Sequence, residues 1–568
     1  MYSNKENVNL LTALLVAHGV RHAVVCPGSR NAPIVHNLNE CPAIVCHAVT
    51  DERSAGFYAL GMVLRLDEPV VVCVTSGSAL LNVMPAIAEA HYQHKPLVVV
   101  SADRPSQWID QMDGQTLPQP GVFGPLVAKS VTLPEPHNDE ERWYCNRLVN
   151  EALLALPSCI HINVPISEPL FHFTTPQLPS ARKIERLQPP TDYDCLSPIF
   201  LDSVATAQRP MIVFGQGTPH DFTAQGNDYL FSHIIVLHEA LAPFPSVSHF
   251  DEVLSLAEHD EALAASLRPD VVIHVGGTIV SKRLKRFLRQ TSDCQVWRLN
   301  ATGDAEDTFQ HLHGIVVGDA DSVLLSLNHK LSKKPTNHAA MDYRRRWLQL
   351  LGEARKKAQD YEPGYSQMAV VRLFEQELRS ADKDTFHVHY ANSSAVRLAN
   401  IYASHHVWCN RGVNGIEGSL STAAGFSLVS AVAPGTLVRQ KVFCVIGDLS
   451  FFYDQNALWN TQLQGNLRIL LLNNSCGGIF TMLPGLEQSP AASTLVAAAH
   501  HTTAKGICLQ HGVTYLSASS PEELRPALQR LVGEPSQRPM LLEVSTSADA
   551  DSLALRAYYE RFQPANYM

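Results

Sequence analysis

The sequence predicts an α/β protein built from three doubly wound, mainly parallel-sheet domains. Short apolar runs alternate with helical patterns, the runs are rich in Val and bounded by turn residues, and the alternation restarts twice after polar stretches. Buried strands separated by helices are typical of parallel sheets covered on both faces. A chain of 568 residues is long enough for three domains of ordinary size.

The expected domains cover residues 1–180, 190–335 and 360–568, with linkers near 170–200 and 325–360. In the first domain, strands are predicted at 23–26, 43–47, 70–75 and 97–101, with helices at 10–18, 52–66 and 79–92. Strands of the second are predicted at 211–214, 234–237, 271–275 and 296–299, and those of the third at 385–389, 442–446, 469–473 and 539–544. Ligands of such sheets bind at the carboxyl ends of the strands.

Composition narrows the classes of function. The net charge of −10 and the lack of a Lys or Arg run argue against a nucleic acid partner. No apolar segment is long enough to span a bilayer, and the N-terminus lacks the apolar stretch of a signal peptide. None of the twelve cysteines forms a C-x-x-C pair, and several lie in apolar runs. We therefore expect a cytoplasmic protein without an integral membrane segment.

Two strand ends in the third domain carry a pattern suited to a diphosphate and a metal ion. One predicted strand ends in Gly447-Asp448-Leu449-Ser450, and the next ends in Asn473-Asn474-Ser475-Cys476. Asp448, the amide of Asn474 and the backbone carbonyl of Cys476 would give oxygen ligands to Mg²⁺, with a helix N-terminus behind the glycine for the anion. The alternative is that Asp448 only caps a helix and the two asparagines form a turn.

This pair of motifs resembles the signature of thiamine diphosphate enzymes, in which Gly-Asp-Gly and a later Asn-Asn bracket the metal ion. Leu449 departs from that pattern at the second glycine. These enzymes also need a glutamate that hydrogen-bonds the cofactor's aminopyrimidine, and Glu52 is the candidate because it follows a strand and opens a helix. The alternative for Glu52 is an acidic residue that merely favours a helix N-terminus.

Further motifs in the same order resemble one family of these enzymes over nearly the whole chain. They are Cys26-Pro27-Gly28-Ser29-Arg30, Thr50-Asp51-Glu52-Arg53, Thr75-Ser76-Gly77-Ser78, Ser101-Ala102-Asp103-Arg104-Pro105, Ser281-Lys282-Arg283-Leu284, Asn392-Ser393 with Arg397, Asn410-Arg411-Gly412 and Leu420-Ser421-Thr422-Ala423-Ala424-Gly425. The family is that of the 2-succinyl-5-enolpyruvyl-6-hydroxy-3-cyclohexene-1-carboxylate synthases of menaquinone biosynthesis. Gly447-Asp448-Leu449-Ser450 also fits it, so Leu449 is a family feature.

The resemblance implies an activity: decarboxylation of 2-oxoglutarate on thiamine diphosphate, with Mg²⁺ or Mn²⁺, and conjugate addition of the succinyl semialdehyde unit to isochorismate. Both substrates are dicarboxylates, which the planar guanidinium of Arg binds best. The motifs supply five arginines, and three further polar residues stand beside them: Arg30, Arg104, Arg283, Arg397 and Arg411, with Ser29, Lys282 and Ser393. The alternative for any one arginine is a surface ion pair.

The same resemblance names the domains as pyrimidine-binding, central and diphosphate-binding and assigns the other site residues. Glu52, Gln115 and Arg30 would be catalytic, Ile416 would bend the cofactor, and Ile479, Phe480 and Leu483 would line the pocket. Cofactor contacts would come from Glu52, Ser76, Gly77, Asn392, Ser393, Ile416, Gly447, Asp448, Leu449, Ser450 and Asn474. The chain would form a homo-oligomer, a dimer or tetramer, with sites between chains.

Two places depart from the family pattern. The segment 113–118 has Gly114 and Pro118 where Asn and Arg are usual, and the glycine pair 477–478 comes one residue late, so the metal-binding carbonyl is at Cys476 or its neighbour.

Other functions fit the sequence less well. Phe214-Gly215-Gln216-Gly217-Thr218 lacks the third glycine of a dinucleotide loop, and the histidines form no zinc-ligand spacing. The rivals are another thiamine diphosphate enzyme, such as an acetolactate synthase or a simple 2-oxo acid decarboxylase, and a non-catalytic protein that binds an anionic metabolite. The arginines argue against the first rival and Glu52 against the second.

Overall fold

The computed structural model describes residues 1–187, 196–219, 222, 225–433, 438–483 and 485–563. It contains three parallel sheets, which confirms the predicted fold class. The first sheet, in the order β2-β1-β3-β4-β6-β5, consists of β1 (His22–Val25), β2 (Val45–Ala48), β3 (Val70–Val74), β4 (Leu97–Asp103), β5 (Lys129–Thr132) and β6 (Ile160–Pro165). Its helices are α1 (Glu6–Ala17), α2 (Ala32–Glu40), α3 (Glu52–Leu66), α4 (Ser78–Asn82), α5 (Met84–Tyr92) and α6 (Asp139–Leu153).

The central sheet has five strands in the order β11-β10-β9-β7-β8. They are β7 (Pro210–Phe214), β8 (Ile235–His238), β9 (Val271–Val275), β10 (Gln295–Asn300) and β11 (Leu312–Val317). The helices of this region are α7 (Pro198–Thr206), α8 (Asp228–His233), α9 (Phe250–Ala257), α10 (Glu261–Leu267), α11 (Lys282–Arg289), α12 (Ala320–Ser332) and α13 (His338–Gln359).

The third sheet, in the order β13-β12-β14-β15-β17-β16, consists of β12 (Phe386–Tyr390), β13 (Val407–Trp408), β14 (Lys441–Gly447), β15 (Leu467–Asn473), β16 (Thr514–Ala518) and β17 (Met540–Ser545). Its helices are α14 (Gln367–Leu378), α15 (Ser394–Tyr402), α16 (Ser419–Leu428), α17 (Asp448–Tyr453), α18 (Lys505–His511), α19 (Pro521–Gly533) and α20 (Ala548–Glu560). Short 3₁₀ segments lie at Ser106–Trp108, Gly124–Leu126, Lys383–Thr385, Gln455–Leu458, Gly478–Met482 and Leu486–Gln488, and a π-helical turn at Ala492–Val496.

The outer two sheets have the same strand order, and the central sheet, read from β8 to β11, shares the first four positions of that order. In each sheet the direction of winding reverses between the first and third strands, which are β1 and β3, β7 and β9, and β12 and β14. Such a reversal leaves a crevice at the carboxyl ends of these two strands. The loops after these strands therefore mark where ligands can enter each domain.

The first and third domains pack directly on each other through α3 and α16. A Cβ at Gly61 of α3 would overlap the carbonyl oxygen of Thr422, and one at Gly425 of α16 would overlap the carbonyl of Tyr58. The Tyr58 hydroxyl also donates a hydrogen bond of 2.5 Å to the Ala457 carbonyl. The absence of side chains at these two glycines lets the helix backbones approach, so the two outer domains form one continuous apolar core.

The C-terminal helix α20 joins the third domain to the central one. Tyr558 donates a hydrogen bond of 2.6 Å to Glu252, and Tyr559 donates one of 3.0 Å to Asp251, both on α9. Tyr558 is fully buried. Because α20 follows the last strand of the third sheet, these contacts fix the central domain beside the crevice of the third.

The predicted linker over 325–360 is wrong, because most of it is helical. Helix α13 buries Tyr343, Trp347, Leu351, Ala354 and Ala358 against the central and third domains. These residues recur every three or four positions, as expected for one helix face. The charged residues between them obscured that face in the sequence. Strands β5, β6, β11, β13 and β16 were also missed.

Within the described ranges, no helix combines the length and the apolar character needed to cross a bilayer.

Candidate active site

The crevice of the third domain contains a buried carboxylate suited to a cation. Asp448 begins α17 and is 3% exposed. Its Oδ1 accepts the Leu449 amide at 2.7 Å, and its Oδ2 accepts the amides of Asn474 at 3.1 Å and Cys476 at 3.2 Å. Burial raises the pKa of the Asp448 carboxyl, while these amides oppose that shift. Neutral donors and one histidine do not balance the charge of a buried carboxylate, so a metal ion would stabilise it.

Asn474 follows the adjacent strand β15 and faces the same place. Its amide nitrogen donates a hydrogen bond of 2.8 Å to Asp551 of α20, which fixes the orientation of the side chain. Among the residues that the structure describes, the Asn474 Oδ1 accepts only the Cys476 thiol, at 3.8 Å, so this oxygen is available to a cation. The Cys476 carbonyl accepts the Gly478 amide at 2.9 Å and keeps a second lone pair. These atoms therefore fit the oxygen set that Mg²⁺ requires.

Asp551 and His500 belong to this site but were missed in the sequence. The His500 Nδ1 accepts the Thr502 amide at 3.0 Å, which assigns the ring proton to Nε2, and Nε2 lies 3.4 Å from the Asp448 Oδ2. Neither residue lies in a motif; each reaches the site from a distant part of the chain. Within the described residues, no three His, Cys, Asp or Glu side chains cluster as a metal site.

The turn after β12 forms the other wall of this crevice. Asn392 donates hydrogen bonds of 2.6 Å to the carbonyls of Asn410 and Gly415 and so ties down the loop 410–416. Ser393 precedes α15 with φ 70°, a backbone conformation that is unusual for a non-glycine residue and is often found at functional sites. Ser450, beyond Gly447 and Leu449, donates to the Ile416 carbonyl. The Ile416 side chain is 40% exposed on this loop.

The first domain supplies Glu52, Ser76 and Gly77. Glu52 is the first residue of α3, capped by Asp51, and its carboxylate accepts a long hydrogen bond of 3.4 Å from Asn82. It is half-buried in the chain alone, not enclosed as the sequence suggested. Ser76 is buried, and the Gly77 amide donates to the buried side chain of Gln119 at 2.8 Å. Gln119 is a further residue that the sequence did not reveal.

Arg104 and Gln115 lie at the same edge of the first domain. The Arg104 guanidinium forms an ion pair of 2.9 Å with Asp113 and donates to the Gly114 carbonyl at 3.2 Å. Gln115 is exposed with φ 56°, and its backbone lies 3.1 Å from where a Cβ of Gly77 would be. Arg104 therefore shapes the segment that departs from the family pattern and holds Gln115 beside Gly77.

Two of the other predicted arginines are already paired with carboxylates. Arg30 is 5% exposed and donates to the Ile166 carbonyl at 2.9 Å and to Glu168 at 3.1 Å. Arg283 contacts Asp251 at 2.7 Å and Glu258 at 3.1 Å, and its guanidinium carbon lies 4.3 Å from the centre of the Tyr559 ring. Ser29 and Lys282, the neighbours of these arginines, are both exposed.

Arg397 and Arg411 differ from the other three predicted arginines because neither forms an ion pair with any described residue. Arg411 donates one hydrogen bond, of 3.1 Å, to Asn392, and its Nε is buried without a partner among the described residues. Arg397 makes no hydrogen bond within the described ranges. Burial, and then the Arg411 guanidinium, lower the pKa of Arg397. Two like charges this close create a site that favours an anion.

Arg397 lies between two cavities. One, of about 330 Å³, is also lined by Lys282 and Arg283 of the central domain. The other is lined by Arg397, Asn474 and Asp551. Arg397 therefore borders both the cavity of the central domain and the smaller cavity beside Asn474.

Apolar side chains stand beyond the metal-binding loop. Ile479 and Phe480 are partly buried, and Leu483 is 44% exposed. A Cβ at Gly477 would lie 2.8 Å from the Phe480 ring and 3.3 Å from Leu449, so these two side chains pack over the glycine. The predicted pocket residues thus form a wall next to Cys476.

The corresponding crevice of the central domain is filled by backbone. The Gly277 amide donates to the Gln216 carbonyl at 2.6 Å, and the Gln216 amide donates to the Thr278 carbonyl at 3.0 Å. A Cβ at Gly215 would overlap the Gly277 carbonyl. The turn 214–218 therefore packs on the turn after β9.

Glu89 of α5 is a further contributor that the sequence did not indicate. It is 3% exposed, and its carboxylate accepts the amides of Gly412 at 2.6 Å and Val413 at 2.8 Å. A Cβ at Gly412 would lie 2.6 Å from the Glu89 carbonyl oxygen. A carboxylate of the first domain thus holds the loop of the third domain that carries Arg411 and Ile416.

Comparison with known proteins gives two family models. Residues 6–121 match the "Thiamine pyrophosphate enzyme, N-terminal TPP binding domain", and residues 392–544 match the "Thiamine pyrophosphate enzyme, C-terminal TPP binding domain". The first range contains Glu52 and Gly77, and the second contains Asp448 and Asn474. The two halves of the candidate site thus lie in the two matched ranges.

Full-length relatives share one name, 2-succinyl-5-enolpyruvyl-6-hydroxy-3-cyclohexene-1-carboxylate synthase. The relative from Bacteroides thetaiotaomicron is 42% identical over 99% of this chain and 100% of its own length. That from Phocaeicola vulgatus is 43% identical over 100% of both chains, and that from Porphyromonas gingivalis is 34% identical over 100% of this chain and 99% of its own length.

Proposed function

The chain belongs to the 2-succinyl-5-enolpyruvyl-6-hydroxy-3-cyclohexene-1-carboxylate synthase family of thiamine diphosphate enzymes, and from this premise we propose how its residues act. It is a carboligase-type transferase of menaquinone biosynthesis: it decarboxylates 2-oxoglutarate and adds the succinyl semialdehyde unit to isochorismate, releasing CO₂. The observation that carries our assignment of the substrate site is the pair of unpaired arginines, Arg397 and Arg411, beside the Asp448 crevice.

Asp448, Asn474 and the Cys476 carbonyl hold Mg²⁺, or Mn²⁺ in its place. The support is a buried carboxylate whose pKa is raised by burial, beside an amide oxygen that Asp551 turns toward it. The turns at Asn392-Ser393 and Gly447-Asp448-Leu449-Ser450 would hold the diphosphate, because the N-termini of α15 and α17 favour an anion. The His500 Nε2–H stabilises the charge on Asp448.

Glu52 would hydrogen-bond the aminopyrimidine and exchange a proton with it, with Ser76 and Gly77 beside the ring. Thiamine diphosphate, when bound, would supply a carbon nucleophile and a cationic ring that takes up the electron pair released with CO₂. Ile416 supports the bent cofactor from an exposed position on its loop. Gln115 lies near the reacting atoms.

Arg397 and Arg411 bind the carboxylates of the substrates, with Ser393 and Lys282 at the edges and Ile479, Phe480 and Leu483 along the carbon chain. A carboxylate between two guanidiniums relieves their mutual repulsion and forms charge-assisted hydrogen bonds. Arg30, Arg104 and Arg283 contribute through the surfaces that they shape, because their guanidiniums already contact carboxylates or carbonyls. Ser29 adds an exposed hydroxyl beside Arg30.

Product analysis tests the function directly. Purified enzyme with thiamine diphosphate and Mg²⁺ is given 2-oxoglutarate with and without isochorismate, and pyruvate replaces 2-oxoglutarate as the control. We expect CO₂ and the addition product in equal amounts only when both dicarboxylates are present. Faster release of CO₂ from pyruvate than from 2-oxoglutarate would instead favour an acetolactate synthase or a simple decarboxylase.

We further propose that each site is shared between two chains of a homo-oligomer. Within the chain, the residues that flank Glu52 contact Tyr453 and Asn456, not Asp448: Arg53 donates to the Tyr453 carbonyl at 2.7 Å and Asp51 accepts from Asn456 at 2.7 Å. The Tyr453 side chain is 50% exposed and that of Ile416 is 40% exposed, as expected for residues that a second copy covers.

A mixed dimer of one Glu52→Gln chain and one Asp448→Ala chain tests this arrangement. If sites form across chains, one site collects both substitutions and the other none, so about half of wild-type activity remains. If each site lies within one chain, the mixed dimer is as inactive as its parents. Differently tagged chains, purified over two affinity steps, give the required species.

A cytoplasmic location without a nucleic acid partner completes the proposal. Its support is the net charge of −10 and the free thiol state of the described cysteines.

A further inference from the structure

In a further cavity, away from the Asp448 crevice, the acidic and basic residues of the lining are all basic. It has a volume of about 260 Å³ and lies between α13, α14 and the end of α15. Arg355, Arg372 and Arg379 line it with His249 and Tyr402, and no Asp or Glu does. We call this the arginine cavity. Three guanidiniums without a lining carboxylate are unexpected in a chain of net charge −10.

The arginines of this cavity are only partly neutralised. Arg372 donates a hydrogen bond of 2.6 Å to Glu362, whose side chain is 76% exposed and lies outside the lining. The guanidiniums of Arg355 and Arg379 form no hydrogen bond or ion pair with any described residue. Because they come from different helices, their charges converge through the tertiary packing and not through sequence proximity. The cavity therefore has a net positive charge that a small anion would balance.

The end of α15 forms the inner wall of the arginine cavity. Tyr402 is 5% exposed, and its hydroxyl has no hydrogen-bond partner among the described residues. A buried hydroxyl without a partner is unfavourable and uncommon in folded proteins. Burial raises the pKa of Tyr402, and the nearby Arg372 guanidinium opposes that shift. This wall thus offers a neutral donor close to the guanidiniums.

The arginine cavity is also connected to the proposed substrate site. Val247, His249 and Ile401 line both this cavity and the larger one that contains Lys282 and Arg397. Helix α15 begins beside Ser393, carries Arg397 in its middle and ends at Tyr402. A ligand that pulls the walls of this cavity closer would therefore shift α15, the helix that positions Arg397.

We propose that the arginine cavity binds a small polyanion, a phosphate or a polycarboxylate, and that its occupancy changes the binding of 2-oxoglutarate through α15. Guanidinium forks bind both kinds of oxyanion. A volume of about 260 Å³ limits the ligand to a small molecule. The second half of this inference rests on the proposed role of Arg397, but the first half does not.

Calorimetric titration of the full-length holoenzyme tests binding. The protein is first saturated with thiamine diphosphate and Mg²⁺, so that the diphosphate site is filled, and inorganic phosphate or tricarballylate is then titrated at constant ionic strength. The test variant is Arg355→Ala with Arg379→Ala. The matched control is Arg345→Ala with Arg346→Ala, which removes the same charge from exposed positions of α13 outside the cavity.

We expect one saturable site for at least one probe, weakened tenfold or more in the test variant and unchanged in the control. The site should persist in Arg397→Ala, which excludes binding at the proposed substrate site. The probe that binds identifies the ligand class. No saturable binding of either probe, or equal weakening in both double variants, would overturn the proposal.

Steady-state kinetics test the connection to the substrate site. The probe that binds should shift the KM for 2-oxoglutarate in the wild type and in the control variant, but not in the test variant. An unchanged KM at saturating probe would refute the connection and leave the binding result standing. Because binding is measured without turnover, a failure of the proposed reaction would not affect that result.

Discussion

Replacing Glu89 should disturb the active site from another domain. The Glu89 carboxylate accepts the amides of Gly412 and Val413, which lie in the loop between Arg411 and Ile416. Burial raises the pKa of Glu89, and these amides and Gln93 oppose that shift. Glu89→Ala leaves these two partly buried amides without acceptors, whereas Glu89→Gln keeps one acceptor and turns an amide nitrogen toward the other N–H.

The expected loss of unfolding free energy follows from the two hydrogen bonds that Glu89 accepts. A bond to a charged acceptor contributes about 1.5–3 kcal/mol, so Glu89→Ala should lower the free energy of unfolding by about 3–6 kcal/mol, less the relief from no longer burying a carboxylate. Glu89→Gln should lose about half as much. The control is Glu151→Gln, a surface residue paired with Lys129 and Arg147, for which a loss within about 1 kcal/mol is expected.

Urea unfolding measures the stability and substrate kinetics measure the position of the loop. A loop that moves takes Arg411 with it, so the KM for a dicarboxylate should rise in Glu89→Gln by a larger factor than kcat falls. Circular dichroism of the bound cofactor reports whether Ile416 has moved. If Glu89→Gln matched Glu151→Gln in both stability and KM, the proposed role of Glu89 would be wrong.

Four further predictions concern single groups. Asp448→Asn should weaken binding of thiamine diphosphate in Mg²⁺ while the fold is kept; unchanged affinity in calorimetry would reject the metal assignment. Glu52→Gln should bind the cofactor but lose roughly two to four orders of magnitude in proton exchange at the thiazolium carbon, measured by NMR. Arg397→Ala or Arg411→Ala should weaken the binding free energy of a dicarboxylate by about 1.5–3 kcal/mol and raise its KM accordingly, with little change in the free energy of unfolding. Burial raises the pKa of Glu239 to about 7 from 4.5, so its protonated form stabilises the fold fully below pH 4.5 and that contribution is lost as pH rises through 7. The free energy of unfolding of Glu239→Gln, minus that of the wild type, should therefore increase over this pH range by up to about 3 kcal/mol, which is the pKa difference of 7 − 4.5 converted to free energy. If urea unfolding gave the same difference at every pH, this prediction would be wrong.

The strands could be predicted because buried parallel strands are continuous apolar runs. Strand β9 has the predicted bounds, and α3 also begins and ends where the pattern indicated. Strands β5 and β11 were missed because their residues are largely half-exposed and carry no such run. The helix α13 was missed because its buried residues are single positions among charged ones.

The proposed metal-binding residues could be singled out in the sequence because they follow two adjacent strands in short motifs. The residues that orient them could not. Asp551 reaches Asn474 from 77 positions away, and Glu89 reaches Gly412 from 323 positions away. Such contacts depend on how the domains pack, and no local pattern encodes them. For the same reason the sequence could not separate Arg283, which is paired with Asp251, from Arg397, which is not.

The unbalanced charges of the folded chain explain how one crevice serves two kinds of ligand. At one end, Asp448 is a buried carboxylate whose charged form is disfavoured, so a cation stabilises it. At the other end, Arg397 and Arg411 are neighbouring cations, and the Arg411 guanidinium disfavours the charge of Arg397, so an anion between them would offset that repulsion. A dicarboxylate would be repelled at Asp448, and a metal ion would be repelled at the arginines. In the proposed function, the opposite signs therefore place the metal-bound diphosphate and the substrate carboxylates at separate ends of the site, with the reacting carbon atoms between them.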